Sequence, residues 1–146
     1  MNDKRRSIDT SGVDGIIGYR LRRAQIAVFG RFLERFAEAE LKPADYSVLV
    51  LIADNPGLRP SQIAAALGIQ RANFVALANA LEARGLIDRT QASADRRAHA
   101  LDLTPAGRAL VGRLRTIQEA FETELVHELG GPDARDSLLA LLARLG

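Results

Sequence analysis

The side chains of this 146-residue chain that could do chemistry are arginines and amides, not nucleophiles. Cysteine is absent, which removes a disulfide framework, a thiolate zinc site and a reactive thiol. The two histidines, His99 and His127, fall on a predicted strand and a distant predicted helix. Glu124 and Glu128 are one helical turn apart, but on an acid-rich face expected to be solvated. Gly12, Gly15 and Gly18 precede no strand, so they form no phosphate-binding loop. No catalytic residue, metal or cofactor is therefore expected. Two other groups stand out: Arg71, Asn73, Ala76 and Asn79 within one segment, and Asp95-Arg96-Arg97 in another. Arginine can bond guanine O6 and N7, and asparagine can bond adenine N6 and N7. The chemistry on offer is recognition of a polyanion.

Charge distribution points the same way. The net charge is only +2, but Asn55 to Leu81 holds no Asp or Glu, and its charges are Arg59 and Arg71. Arg84, Arg89, Arg96 and Arg97 follow, whereas acids gather at Glu34, Glu38 and Glu40 and from Glu119 to Asp136. A polyanion is drawn to the middle of the chain and repelled by its last third. The composition, 47% apolar and 26% charged, is that of one globular domain. No apolar run is long enough for a membrane span, and the polar Met1 to Gly12 stretch is no signal peptide, so a cytoplasmic protein is expected.

The elements that must position these residues are mostly helical. Ile17, Leu21, Ala24, Val28, Phe29, Phe32, Leu33 and Phe36 recur at helical spacing, predicting one helix over 13–40 with a fraying, glycine-rich start. Such a helix would be ~40 Å long and apolar enough to need a partner. Pro43 opens a second helix to Asp54, with Tyr46, Leu49, Val50 and Ile52 inward, and Asn55-Pro56-Gly57 is a turn. A third helix, Pro60 to Leu67, is separated by Gly68-Ile69-Gln70 from a fourth, Arg71 to Arg84, whose buried stripe is Phe74, Leu77, Ala78 and Leu81. Two short helices joined this tightly make a helix-turn-helix. The period then changes, with strands expected at Leu86 to Thr90 and His99 to Leu103 around a tip bearing Arg96 and Arg97. Thr104-Pro105 starts a fifth helix to Leu129, Gly130-Gly131-Pro132 breaks it, and Asp133 to Leu145, with Leu138, Leu139, Leu141, Leu142 and Leu145, is a sixth.

The fourth helix can enter a major groove with Arg71, Asn73, Ala76 and Asn79 outward, since no acid precedes Glu82. Asp95-Arg96-Arg97 alone would read as a solvated turn. Following a helix-turn-helix, it reads as a wing whose arginines reach phosphates or a minor groove.

With these residues in place, the chain resembles the MarR (multiple antibiotic resistance regulator) family. The resemblance rests on Leu58-Arg59-Pro60-Ser61-Gln62-Ile63-Ala64, Leu67-Gly68-Ile69, Leu77, Leu81-Glu82-Ala83-Arg84-Gly85-Leu86-Ile87, Asp95-Arg96-Arg97 and Leu103-Thr104-Pro105-Ala106-Gly107. It implies a mainly α fold: a single domain over 1–146, with a winged helix-turn-helix lobe over 43–103 and a two-stranded β-wing. Residues 13–40 and 104–146 would form the dimerisation helices of a homodimer. It further implies a sequence-specific regulator of transcription, a repressor on a pseudo-palindromic double-stranded operator, released by a small aromatic, hydrophobic or anionic effector. The implied DNA contacts are Ser61, Gln70, Arg71, Asn73, Ala76, Asn79, Arg96 and Arg97, with Asp95 orienting Arg97. Tyr19, Arg23 and Tyr46 are the candidate effector contacts. The sequence departs from the family where Arg59 and Gln70 replace the usual Ser or Thr helix caps, and where Ala76 replaces a recognition-helix arginine. A winged-helix module that contacts proteins rather than DNA is the alternative.

Overall fold

The computed structural model describes residues 8–91 and 99–146. The helices are α1 (Ser11–Asp14), α2 (Ile17–Arg35), α3 (Pro43–Asp54), α4 (Pro60–Ala66), α5 (Arg71–Ala83), α6 (Pro105–Leu129) and α7 (Pro132–Leu142). A 3-10 turn covers Ala37–Ala39, and strands β1 (Ile87–Gln91) and β2 (His99–Leu103) lie between α5 and α6. No helix among the described residues is long and apolar enough to cross a membrane.

The long helix expected over 13–40 is divided. Gly15 ends α1 and Ile16 is extended, as low glycine propensity at this end would favour. At the other end α2 stops at Arg35, and Glu40 takes a left-handed conformation (φ 50°). The turn lets both Phe36 and Leu41 enter the core. The Arg84 guanidinium holds it there, donating to the carbonyls of Ala39 (2.6 Å) and Glu40 (3.1 Å). The base of α5 is thereby tied to the end of α2.

The core runs from Phe32 and Phe36 through Val48, Leu49 and Ile52 of α3 to Ile63, Phe74, Leu81, Ile87 and Leu101. Leu114 and Phe121 of α6 close it. Phe32 stacks on Phe36 at 3.9 Å, and Tyr46 meets Phe36 edge-on at 5.3 Å.

Two joints set the direction of α5 and the hairpin. Gly85 (φ 67°) terminates α5, with its N–H bonded to Glu82 O and the Leu86 N–H to Leu81 O. This paired pattern needs a left-handed residue and brings Leu86 against Leu81. At the start of α6, Thr104 Oγ1 accepts from the Gly107 N–H (3.0 Å) and donates to Gly85 O (2.6 Å). Gly107 lies so close to Leu86 that a Cβ there would stand 2.0 Å from the Leu86 carbonyl oxygen.

The hairpin is antiparallel, in the register Ile87↔Leu103 to Gln91↔His99, with β1 one residue later than expected. Leu58 adds a single bridge to Leu101 through Leu101 N–H···O=C Leu58 (2.9 Å). One bridge has no alternating run to announce it, so the sequence pattern did not reveal it.

Candidate nucleic-acid interface

The orientation of α5 follows from its apolar stripe. Phe74, Ala78 and Leu81 are buried, which leaves Arg71, Asn73, Ala76 and Asn79 exposed on the remaining surface. Helix α4 precedes it across Leu67 to Gln70, with Ile69 N–H bonded to Ala64 O. Ser61, in the first turn of α4, and Gln70, before α5, are also exposed. Neither helix has a Ser or Thr cap. In α4 the loss is offset by Gln62, whose Oε1 accepts from the Arg59 N–H at 2.9 Å. Gln70 makes no such side-chain bond.

The acid at the end of this face is neutralised from the hairpin. Arg89 of β1 donates through Nε to Glu82 (3.0 Å) and through Nη2 to Asn79 Oδ1 (2.5 Å). In this arrangement the Asn79 carbonyl is engaged by Arg89, whereas two-point recognition of adenine uses both ends of an amide. Sequence reasoning counted Arg89 only as one more positive charge. A usable signal existed: Arg89 is two residues after buried Ile87, hence on the same strand face, which packs towards α5.

An open cleft of about 800 Å³ joins α4, α5 and the hairpin. Arg59, Ser61, Arg71, Val75, Arg89 and His99 are among its lining residues. Three of these are arginines, so the cleft suits a polyanion. Asp95, Arg96 and Arg97 lie outside the described residues.

Of the candidate effector contacts, Tyr19 and Arg23 lie one turn apart on α2, whereas Tyr46 packs beside Phe32, well along the same helix. Tyr46 is half-buried against Phe32 and Phe36, and burial pushes its hydroxyl pKa up while Arg115 pulls it back. Tyr19 precedes Phe32 on the same helix by a span of ~20 Å at 1.5 Å per residue. Arg23 lines a shallow depression at the start of α2 with Arg20 and Leu21. A second open, largely apolar pocket of about 540 Å³ lies between α2, α3 and the α4–α5 turn. Phe29, Leu33, Pro43, Leu67 and Ile69 line it, and Lys42 supplies a charge. These residues come from separate segments, and no spacing in the sequence marks them as neighbours.

Glu124 and Glu128 are exposed, as expected, and each is also ion-paired. Arg31 grips both oxygens of Glu128 (2.8 and 2.9 Å), and Arg35 bonds Glu124. Both guanidiniums lie over the Phe121 ring, at 5.3 and 5.1 Å. These contacts fasten α2 to α6. They leave outward the apolar side chains Ile17, Leu21, Phe29 and Leu33 of α2, and α7 exposes Leu138, Leu139, Leu141 and Leu142.

Residues 39–98 match the sequence pattern of the MarR family. A candidate transcriptional regulatory protein for the hcr operon of Thauera aromatica is 36% identical over 132 residues, covering 90% of this chain and 79% of that protein. Among solved structures, the transcriptional repressor CouR bound to a 23-mer DNA duplex is 43% identical, covers 96% of this chain and 99% of its own, and superposes with a TM-score of 0.88. CouR bound to p-coumaroyl-CoA is 41% identical, with coverage of 95% and 97% and a TM-score of 0.87.

Proposed function

Because this chain belongs to the MarR family, we propose that it is a homodimeric transcriptional repressor, not an enzyme, that holds a pseudo-palindromic DNA operator in the cytoplasm. Helix α5 enters the major groove with Arg71, Asn73 and Ala76 facing the bases. Ser61 and Gln70 reach the flanking phosphates, and Asn79 keeps Arg89 and Glu82 in place behind them. Arg96 and Arg97 engage the neighbouring minor groove, with Asp95 orienting Arg97. The observation that carries this reading is the α5 surface: Arg71, Asn73 and Ala76 outward, with its one terminal acid paired to Arg89. Likeness to a DNA-bound repressor over nearly the whole chain supports it.

Ile17 and Leu21 of α2 and the exposed leucines of α7 become the dimer interface, burying a surface too apolar for a monomer, while Phe29 and Leu33 remain to line the ligand pocket. Release is assigned to an aromatic acyl compound, free or as a thioester, by likeness to CouR with p-coumaroyl-CoA. The ring fits the apolar cavity beside Lys42, between the dimerisation helices and the DNA-binding lobe. Occupying it would bias the position of the lobe relative to its twin, which sets the spacing of the two α5 helices.

A titration tests both parts. Duplex selected by the protein from a randomised pool is labelled, and binding is followed by anisotropy at several salt concentrations. Affinity should fall steeply with salt as counterions leave the phosphates, and p-coumaroyl-CoA should displace the duplex. Salt-insensitive binding, or none, contradicts the DNA-binding reading. Failure of p-coumaroyl-CoA alone contradicts the assigned ligand class.

A further inference from the structure

Val75 is the exposed apolar residue that neither the dimer nor the ligand pocket accounts for. It is 46% exposed. Among the described residues, every other large hydrophobic side chain that is exposed lies within residues 8–33 or 129–145. Those lie on or next to the terminal helices, whose surfaces are assigned to the dimer and the ligand pocket, whereas Val75 stands on α5 in the winged lobe. It is one turn after Arg71 and one turn before Asn79, and it lines the same cleft as Arg71 and Arg59.

A β-branched residue at an exposed helical position loses helix propensity relative to alanine, and its side chain is stiff. That stiffness lowers the entropy lost on contact. The flanking arginines select a polyanionic occupant for this spot, so what covers the valine must be apolar yet part of a polyanion. In a major groove one group answers that description, the C5-methyl of thymine. We propose that Val75 packs on a thymine methyl and is a sequence-reading residue of α5. This rests on the DNA-binding reading above. It also shifts part of the specificity from Asn79, whose carbonyl Arg89 holds, to an apolar contact.

The test removes the methyl from the DNA and the isopropyl from the protein. A duplex selected by the unmodified protein is remade with each thymine in turn replaced by deoxyuridine, and anisotropy gives the affinities. One thymine per half-site should prove sensitive, its replacement weakening binding roughly three- to tenfold, the scale of one buried methyl pair. V75A should weaken binding to the parent duplex by a similar factor, bind the sensitive thymine and uracil duplexes equally, and keep the salt dependence unchanged. Alanine favours the helix at this exposed site, so the variant should fold, and its circular dichroism melt checks this. A duplex in which no thymine is sensitive, or a V75A protein with undiminished sensitivity, overturns the inference and leaves DNA binding intact. Failure to select any duplex overturns both.

Discussion

Asn79 of α5 gives its side-chain carbonyl to the Arg89 guanidinium of β1 at 2.5 Å, and the same guanidinium pairs with Glu82. One residue at the hairpin root thus fixes the amide on the proposed reading face and masks the nearest negative charge. Arg89→Ala should weaken duplex binding about tenfold, since an uncovered carboxylate would face phosphate. Its effect on thermal stability should be small, because exposed ion pairs contribute about 0–1 kcal/mol. Adding Glu82→Gln should recover most of the affinity. Anisotropy titrations beside thermal melts check both expectations, and no recovery in the double variant would contradict the masking role.

Gly107 is held against the Leu86 carbonyl. Gly107→Ala should destabilise the fold by about 3 kcal/mol, at the upper end of overpacking, because the obstacle is backbone rather than a flexible side chain. Urea denaturation should show an earlier midpoint with an unchanged slope. A midpoint like that of the unaltered protein would mean that α6 shifts freely against the hairpin root.

Hydrogen bonding from Arg31 holds the Glu128 carboxyl below its ordinary pKa of 4.5, partly opposed by desolvation. With the folded pKa depressed, the contribution is full above the ordinary value and disappears as pH falls through the lowered one. Glu128→Gln should therefore melt below the unaltered protein at neutral pH, and the gap should close in acid. Melts from about pH 7 down to about pH 3 read this window; a gap constant across it would contradict the pairing.

Helix α7 has no buried residue within the protomer. Deleting residues 133–146 should abolish the dimer and yield monomer or aggregate, measured by light scattering after gel filtration. A soluble, well-folded dimer would contradict the assigned interface.

The sequence was most legible where local rules and tertiary packing agreed. Pro43, Pro60 and Thr104-Pro105 mark their helix starts, and Gly85 with Leu86 marks the end of α5, because each answers a local backbone requirement. The stripe of Phe74, Ala78 and Leu81 fixed which side of α5 faces out. Less legible were features created by distant segments. Glu40 is left-handed, and Arg84, far along the chain, donates to its carbonyl. Arg31 and Arg35 find Glu124 and Glu128 only once α2 lies on α6. Tyr46 packs against Phe32 of α2 and Phe36 just after it, a contact between segments that no spacing in the sequence announces.

The placement of α5 in a major groove is tested most directly by methylation interference on the selected duplex. Dimethyl sulfate marks guanine N7 in the major groove and adenine N3 in the minor groove. Methylated guanines should block binding in two patches one helical turn (~34 Å) or a multiple apart, and Arg71→Ala should blunt that guanine effect. Interference confined to adenine N3, or absent from both grooves, would contradict the account.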